Sequence, residues 1–126
     1  SYQKIKNVLE NDSKGVYQGK IFVKDTAQKT DAYQLSKALI LNDKAEFNAK
    51  PELEIYADDV KCSHGSTSGS IDEDAVHYLM TRGIEFTMAR KLLINGFINE
   101  IFENIPEQQL KIFLEKSIKE QVNGIK

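Results

Sequence analysis

The hydrophobic pattern changes its period part-way along the chain. Before residue 65, apolar residues occur in short runs that contain β-branched and aromatic side chains, such as residues 21–23 and 53–56. Residues that favour turns separate these runs, for example at 11–13 and 58–59. We therefore predict β-strands for this half of the chain, including the ambiguous stretch 30–38.

The spacing of the predicted strands leaves two architectures open. Most of the intervening segments are too short for a helix that crosses over a sheet. The strands could form an antiparallel meander, or they could be successive rungs of a parallel β-solenoid. No short repeat is strict, so the sequence period does not decide between the two.

The second half of the chain has a helical pattern. Three helices are expected, at residues 73–81, 86–105 and 107–122. Asp72 can cap the first helix, and Gly83 provides its left-handed stop. Pro106 ends the second helix and begins the third, which Gly124 closes.

Composition and charge argue against several classes of protein. The 126 residues are 40% apolar and 29% charged, as in an ordinary globular domain. Lysine and arginine are spread along the chain and the net charge is −2, so we expect no nucleic-acid partner. No apolar run approaches the ~20 residues of a membrane helix, and the polar start lacks a signal-peptide core. We therefore expect a cytoplasmic protein without a membrane partner, and the missing initiator methionine indicates a piece of a longer one.

The polar segment 61–70 is the best candidate for chemistry. Cys62 and His64 are two residues apart, so on a strand their side chains leave the same face, about 6.6 Å apart along the chain. A thiolate and an imidazole there could supply two ligands of a metal cluster, or a thiol and its base. Cys62 is the only cysteine and His77 the only other histidine, so the chain cannot complete a four-ligand Cys/His zinc site alone.

Structural roles for these polar residues stay open. A lone cysteine such as Cys62 usually packs as a small hydrophobe, and His64 could close a turn. Asp58 and Asp59 could suggest a hydrolytic acid–base pair, but adjacent residues on a strand face opposite sides, so a turn is favoured. The glycine–serine run lacks the Gly-Lys-Ser/Thr ending of a phosphate-binding loop.

Segment 50–65, with the sequence KPELEIYADDVKCSHG, closely resembles the signature of the SufB/SufD family of the SUF iron–sulfur cluster assembly system. Further similar segments lie at 15–21, 27–34 and 78–84. SufB typically places acidic residues on both sides of the histidine that corresponds to His64, whereas this chain has Ser63 and Gly65. The chain therefore resembles SufD, without the N-terminal portion of that protein.

The resemblance implies a fold of the class β-solenoid plus α. It places the last turns of a right-handed parallel β-helix at residues 1–70 and a C-terminal three-helix domain at residues 71–126. In the family, the helical domain docks the ATPase SufC, and the β-helix pairs with SufB through its last strands. An isolated fragment with an open last strand is expected to form a homodimer.

The resemblance also implies where the cluster is assembled. His64 matches the family histidine proposed to help form the nascent cluster at the SufB–SufD interface. It is therefore the candidate cluster and metal ligand, shared with a partner chain, and Cys62 is a weaker candidate. The fragment alone is expected to bind no cofactor, because the iron–sulfur cluster would be transient and shared with SufB. We expect a non-ATPase scaffold with no catalytic residue, and not an enzyme.

An alternative function is a generic β-solenoid module that binds a protein or a glycan without cluster chemistry. Cys62 and His64 would then be structural. A binding groove of this kind would carry exposed aromatic side chains along one face, for which Tyr17, Tyr33 and Tyr56 are the candidates.

Overall fold

The computed structural model describes residues 1–125, in which strands come first and helices second. The strands are β1 (Tyr2–Leu9), β2 (Lys14–Val23), β3 (Asp31–Ile40), β4 (Glu46–Ile55) and β5 (Lys61–Ser70). The helices are α1 (Glu73–Thr81), α2 (Phe86–Asn99) and α3 (Gln108–Asn123), with a 3₁₀ turn at Phe102–Asn104. The strand prediction for the first half is confirmed, and the ambiguous stretch 30–38 lies almost entirely in β3.

Alternate strands of the β-region form two sheets. β1, β3 and β5 form one sheet in that order, and β2 and β4 form the other. The pairing is parallel, with Tyr2 opposite Tyr33 at the start of β1 and β3, and Lys14 opposite Glu46 at the start of β2 and β4. Among the described strands, neighbours in sequence are therefore not neighbours in a sheet. This order excludes the antiparallel meander, while the right-handed β-helix stays a prediction.

Three of the four buried positions of β3 carry small side chains, and Gln34 is the exception. The buried positions of β3 alternate along the strand and are Ala32, Gln34, Ser36 and Ala38. A Cβ atom at Gly15 of β2 would lie 3.1 Å from a methyl group of Leu9 and 3.1 Å from the ring of Phe47. Leu9 belongs to a core cluster with Ala38 and Ala45, against which Phe47 packs. A larger residue at position 15 would therefore push against this core.

The side chain of Gln28 joins two turns that are distant in sequence. Its Nε2 donates a hydrogen bond to the Asp25 carbonyl (2.8 Å), within the turn that follows β2. Its Oε1 accepts a hydrogen bond from the Asp59 N–H (2.9 Å), in the turn that leads into β5. Beside it, the Lys29 N–H donates to the Asp59 carbonyl (2.6 Å). These bonds fix the start of β5 against the start of β3.

The first helix begins and ends where the sequence predicts. The Asp72 carboxylate accepts a hydrogen bond from the Ala75 N–H (3.0 Å), which satisfies one of the free donors of the first turn. Gly83 has a φ of +87°, the left-handed conformation in which a side chain is strained. Val76 is the buried residue of this helix.

The prediction of one continuous second helix to residue 105 is wrong. α2 ends at Asn99, and the Ile101 N–H bonds to the Ile98 carbonyl (3.0 Å), three residues back, so the helix tightens into a 3₁₀ turn. Ile105 is extended (φ −88°, ψ 112°), as expected for a residue that precedes a proline. Gly124 caps α3 in a right-handed conformation (φ −76°), so this helix ends without a left-handed residue.

The chain divides into two compact units, one at Ser1–Gly69 and one from Ser70 onward. The first contains the two sheets, apart from the final residue of β5, and the second contains the helices. None of the helices within residues 1–125 combines the length and apolar character that a membrane crossing requires.

We expect Gln28→Ala to lower the free energy of unfolding by about 1 kcal/mol, because one hydrogen bond within a turn and one between two turns are lost at an exposed site. Urea unfolding followed by circular dichroism measures this change. Thr26→Ala, at an exposed position in the same turn, is the matched control and should change stability little. Equal losses in the two variants would contradict a specific role for the Gln28 side chain.

Candidate functional site at the edge strand

The polar segment that carries Cys62 and His64 forms the regular ten-residue strand β5. Its glycines and serines suggest turns by local preference, but pairing with β3 decides the conformation, because strand preference depends strongly on context. Gly65 lies against β3, where an added Cβ would be 3.3 Å from Leu35 Cδ1 and 3.7 Å from the Tyr33 hydroxyl. The structural alternative in which His64 closes a turn is therefore wrong.

β5 lies at the end of the sheet order β1-β3-β5. Its other edge pairs with no strand among residues 1–125. In a parallel pair, successive residues direct their backbone groups to alternate sides. The Lys61 N–H donates to the carbonyl of Thr30, the residue before β3 (2.8 Å), so the N–H groups of the even-numbered residues of β5 point away from β3. The site is therefore on an open edge that could accept another strand.

Cys62 and His64 share one face of β5 by strand alternation. Because Gly65 lies against Leu35 on one face, His64 is on the other, which is the face of the buried side chain of Gln34. Cys62 is a half-buried free thiol, whereas His64 is exposed. The local structure therefore leaves the imidazole accessible and partly shields the thiol.

Cys62 and His64 are the candidate metal ligands on this face of β5. No group of three or more His, Cys, Asp or Glu side chains within residues 1–125 is arranged to bind a metal ion. Cys62 and His64 are of the right chemical type, since thiolates and imidazoles are the protein ligands of iron–sulfur clusters. His77 lies in α1, in the helical unit.

The aspartate pair and the three tyrosines considered for the alternative functions do not form a comparable site. Asp58 and Asp59 are exposed in the turn before β5, and Asp59 uses its backbone to hold the neighbouring turn. A cavity of about 350 Å³ beside that turn has two lysines and two aspartates in its lining and lacks histidine and cysteine. Of the three tyrosines expected on a glycan groove, Tyr17 and Tyr33 are half-buried and Tyr56 alone is exposed.

One polar cluster on the outer face of the β2–β4 sheet was not predicted. Glu54 forms an ion pair with Lys20 and accepts a hydrogen bond from the Tyr56 hydroxyl (2.7 Å). The hydrogen bond from Lys20, reinforced by that from Tyr56, lowers the pKa of Glu54 below its usual value. Phe22 packs edge-on against Tyr56, with ring centroids 5.8 Å apart. Only the strand register brings these residues together, so the sequence pattern gave no signal for the cluster.

The helical unit exposes a large apolar surface. On α3, the most exposed large apolar side chain is that of Phe113, at 65%, and Leu110 and Ile112 are also exposed. Between α2 and α3 lies a cleft of about 610 Å³, whose lining includes apolar Met88, Leu92 and Ile118 and charged Lys91, Glu115 and Lys119. Apolar area of this kind is typical of a surface that contacts another protein.

Within the described residues, the unpaired edge of β5 and the exposed apolar residues of α3 are thus surfaces that remain available for contacts with other chains. The family model described as "SUF system FeS cluster assembly, SufBD core domain" matches residues 1–97. The chain belongs to this family.

Curated relatives support the same assignment. The chain is 44% identical over 106 residues to an iron–sulfur cluster assembly SufBD family protein of Synechocystis, which covers 84% of this chain and 23% of that protein. It is 40% identical over 111 residues to the iron–sulfur cluster assembly protein SufD of Escherichia coli, covering 88% and 26%. Its identity to protein ABCI7, chloroplastic, of Arabidopsis thaliana is 39% over 104 residues, covering 82% and 22%. The chain thus spans about a quarter of the length of these relatives, and the predicted likeness to the C-terminal part of SufD is confirmed.

Proposed function

We propose that the chain is part of a scaffold subunit on which iron–sulfur clusters are assembled, and that it binds and positions partners and catalyses no reaction itself. The observation that carries this proposal is the SufBD core match over residues 1–97, which includes β5 with Cys62 and His64. The two units suit two different contacts. The β-unit would pair with SufB, and the helical unit would dock SufC.

The parallel sheets support pairing through β5. Their alternation between two sheets is the order expected if the chain winds as the last turns of a right-handed β-helix. In such a coil the last strand is open, and a strand from SufB could pair with its free edge. Without SufB, a second copy of the chain offers the same edge.

The isolated chain should therefore form a homodimer through β5. Light scattering should give twice the chain mass of 14.3 kDa. Ser66→Pro should return it to a monomer, because the Ser66 N–H points away from β3 and proline removes it while keeping the β3 pairing. Ser66→Ala is the matched control and should stay dimeric. A monomeric mass for the unmodified chain would contradict edge pairing.

His64 is the proposed contribution of this chain to the cluster site. It is exposed on the open strand, next to the half-buried thiol of Cys62. SufB would supply the remaining ligands, and the cluster would be cargo that leaves the complex. ATP hydrolysis by SufC would provide the conformational drive.

We expect His64→Ala to reduce the cluster yield at least 10-fold in the complex reconstituted with SufB and SufC, because an interfacial ligand is lost. Iron content and visible absorbance per complex measure the yield, and gel filtration confirms that the complex is intact. His77→Ala is the matched control, since His77 lies in the helical unit, and should keep the normal yield. A full yield with His64→Ala would remove His64 from the mechanism.

The exposed apolar residues of α3 are the proposed dock for SufC. We expect Phe113→Ala to weaken SufC binding about 10-fold, since loss of a large aromatic contact in an interface costs over 1 kcal/mol. Calorimetric titration of SufC into the chain measures the affinity. Lys116→Ala, also at an exposed position of α3, should bind normally. Absence of SufC binding to the folded chain, or unchanged affinity in Phe113→Ala, would contradict this dock.

A further inference from the structure

Two glutamines stack in register on neighbouring strands of the first sheet. Gln3 of β1 lies opposite Gln34 of β3. Gln34 Nε2 donates a hydrogen bond to Gln3 Oε1 (2.9 Å), so the amide of one strand donates to the amide of the preceding strand. Ladders of this kind recur where parallel strands repeat in register.

The side-chain oxygen of Gln34 is a hydrogen-bond acceptor that this ladder leaves without a donor. Gln34 is 1% exposed, and its Oε1 has no hydrogen-bond partner among residues 1–125. A buried acceptor without a donor costs stability, so the position calls for a donor. The next strand of the same sheet is β5.

Three observations place His64 opposite Gln34. β3 and β5 are both ten residues long and run from Asp31 and from Lys61, which gives the same offset at both ends. The Lys61 N–H donates to the Thr30 carbonyl (2.8 Å), which is the bond that this offset requires. Gly65 lies against Leu35, one residue further along both strands.

We propose that Gln34 is a positioning residue for His64, with Gln34 Oε1 accepting a hydrogen bond from the imidazole N–H. The donor of each strand then reaches the amide oxygen of the preceding one, from His64 to Gln34 and from Gln34 to Gln3. Fixing one ring nitrogen in this way sets the tautomer and turns the other nitrogen, with its lone pair, away from the ladder. The consequence for cluster assembly rests on the proposed function, whereas the hydrogen bond itself does not.

One rival donor for Gln34 is the Tyr17 hydroxyl. Both side chains occupy the space above Gly19, which has no side chain, and a Cβ there would lie 2.7 Å from Gln34 Nε2. The Gln34 atom nearest this position is therefore the nitrogen, which already donates to Gln3. The oxygen stays available to β5.

Nitrogen-15 NMR of the full chain tests the hydrogen bond. In a His77→Gln background His64 is the only histidine, because the sequence contains two. We expect a slowly exchanging ring N–H proton on His64, with a hydrogen-bond coupling from its ring nitrogen to the Gln34 side-chain carbonyl. Absence of this coupling in the His77→Gln chain would overturn the proposal without any substitution at Gln34.

Gln34→Met keeps the length of the side chain and removes the acceptor oxygen, so the slowly exchanging proton should be lost. Ser36→Ala, at the next buried position of the same face, and Tyr17→Phe, which removes the rival donor, should both keep it. A proton signal that persists in Gln34→Met would show that Gln34 does not hold the ring. A signal that appears only in Tyr17→Phe would show that the Tyr17 hydroxyl occupies the Gln34 oxygen in place of His64.

Cluster yield in the reconstituted complex separates this inference from the proposed function. If the NMR contact is present but His64→Ala gives a full yield, the proposed role of His64 fails and the positioning contact stands. If His64→Ala abolishes the yield but the contact is absent, the function stands and the role of Gln34 is overturned. If His64 contributes to the cluster site and Gln34 positions it, Gln34→Met should lower the cluster yield by a smaller factor than His64→Ala.

Discussion

In-register parallel pairing of alternate strands is the constraint on which the β-unit depends. Once Tyr2 is opposite Tyr33, every residue of β1 and β3 has a fixed partner and a fixed face. A slip by one residue would turn the buried positions of β3 outward, including Gln34 and its bond to Gln3. For the next pair of strands, the hydrogen bond between Gln28 and Asp59 aligns the start of β5 with the start of β3.

Features that depend on local chemistry were predictable from the sequence, whereas features that depend on register were not. The Asp72 cap and the left-handed Gly83 follow from short-range rules, and both were found at the predicted residues. The premature end of α2 was missed because its apolar spacing continues past Asn99 while the backbone tightens. The ion pair of Lys20 with Glu54 requires knowledge of which strands are neighbours, which spacing alone does not provide.

At the candidate site, too, some features follow from local chemistry and others depend on the neighbouring strand. The alternation rule put Cys62 and His64 on one face, and the resemblance to a family gave His64 its proposed role. Local preference suggested a turn for the glycine–serine segment, but a neighbouring strand supplies hydrogen bonds that outweigh this preference. Gly65 has a packing role at this point, since its missing side chain leaves room for Leu35.

Under the proposed function, the open edge and the shortage of ligands have one physical origin. β5 is the last strand of its sheet, so the position beside it is available both for backbone pairing and for ligands beyond Cys62 and His64. A strand from a second chain would pair with the free edge of β5 and supply further ligands at the same time, because in-register pairing brings its side chains beside those of β5. Assembly of the site and pairing of the subunits would then be the same event, and a cluster could not be held stably before the partner arrives. This coupling would protect a reactive cluster from premature release. It would also require the rest of the chain to hold the His64 ring in the correct orientation before the subunits pair.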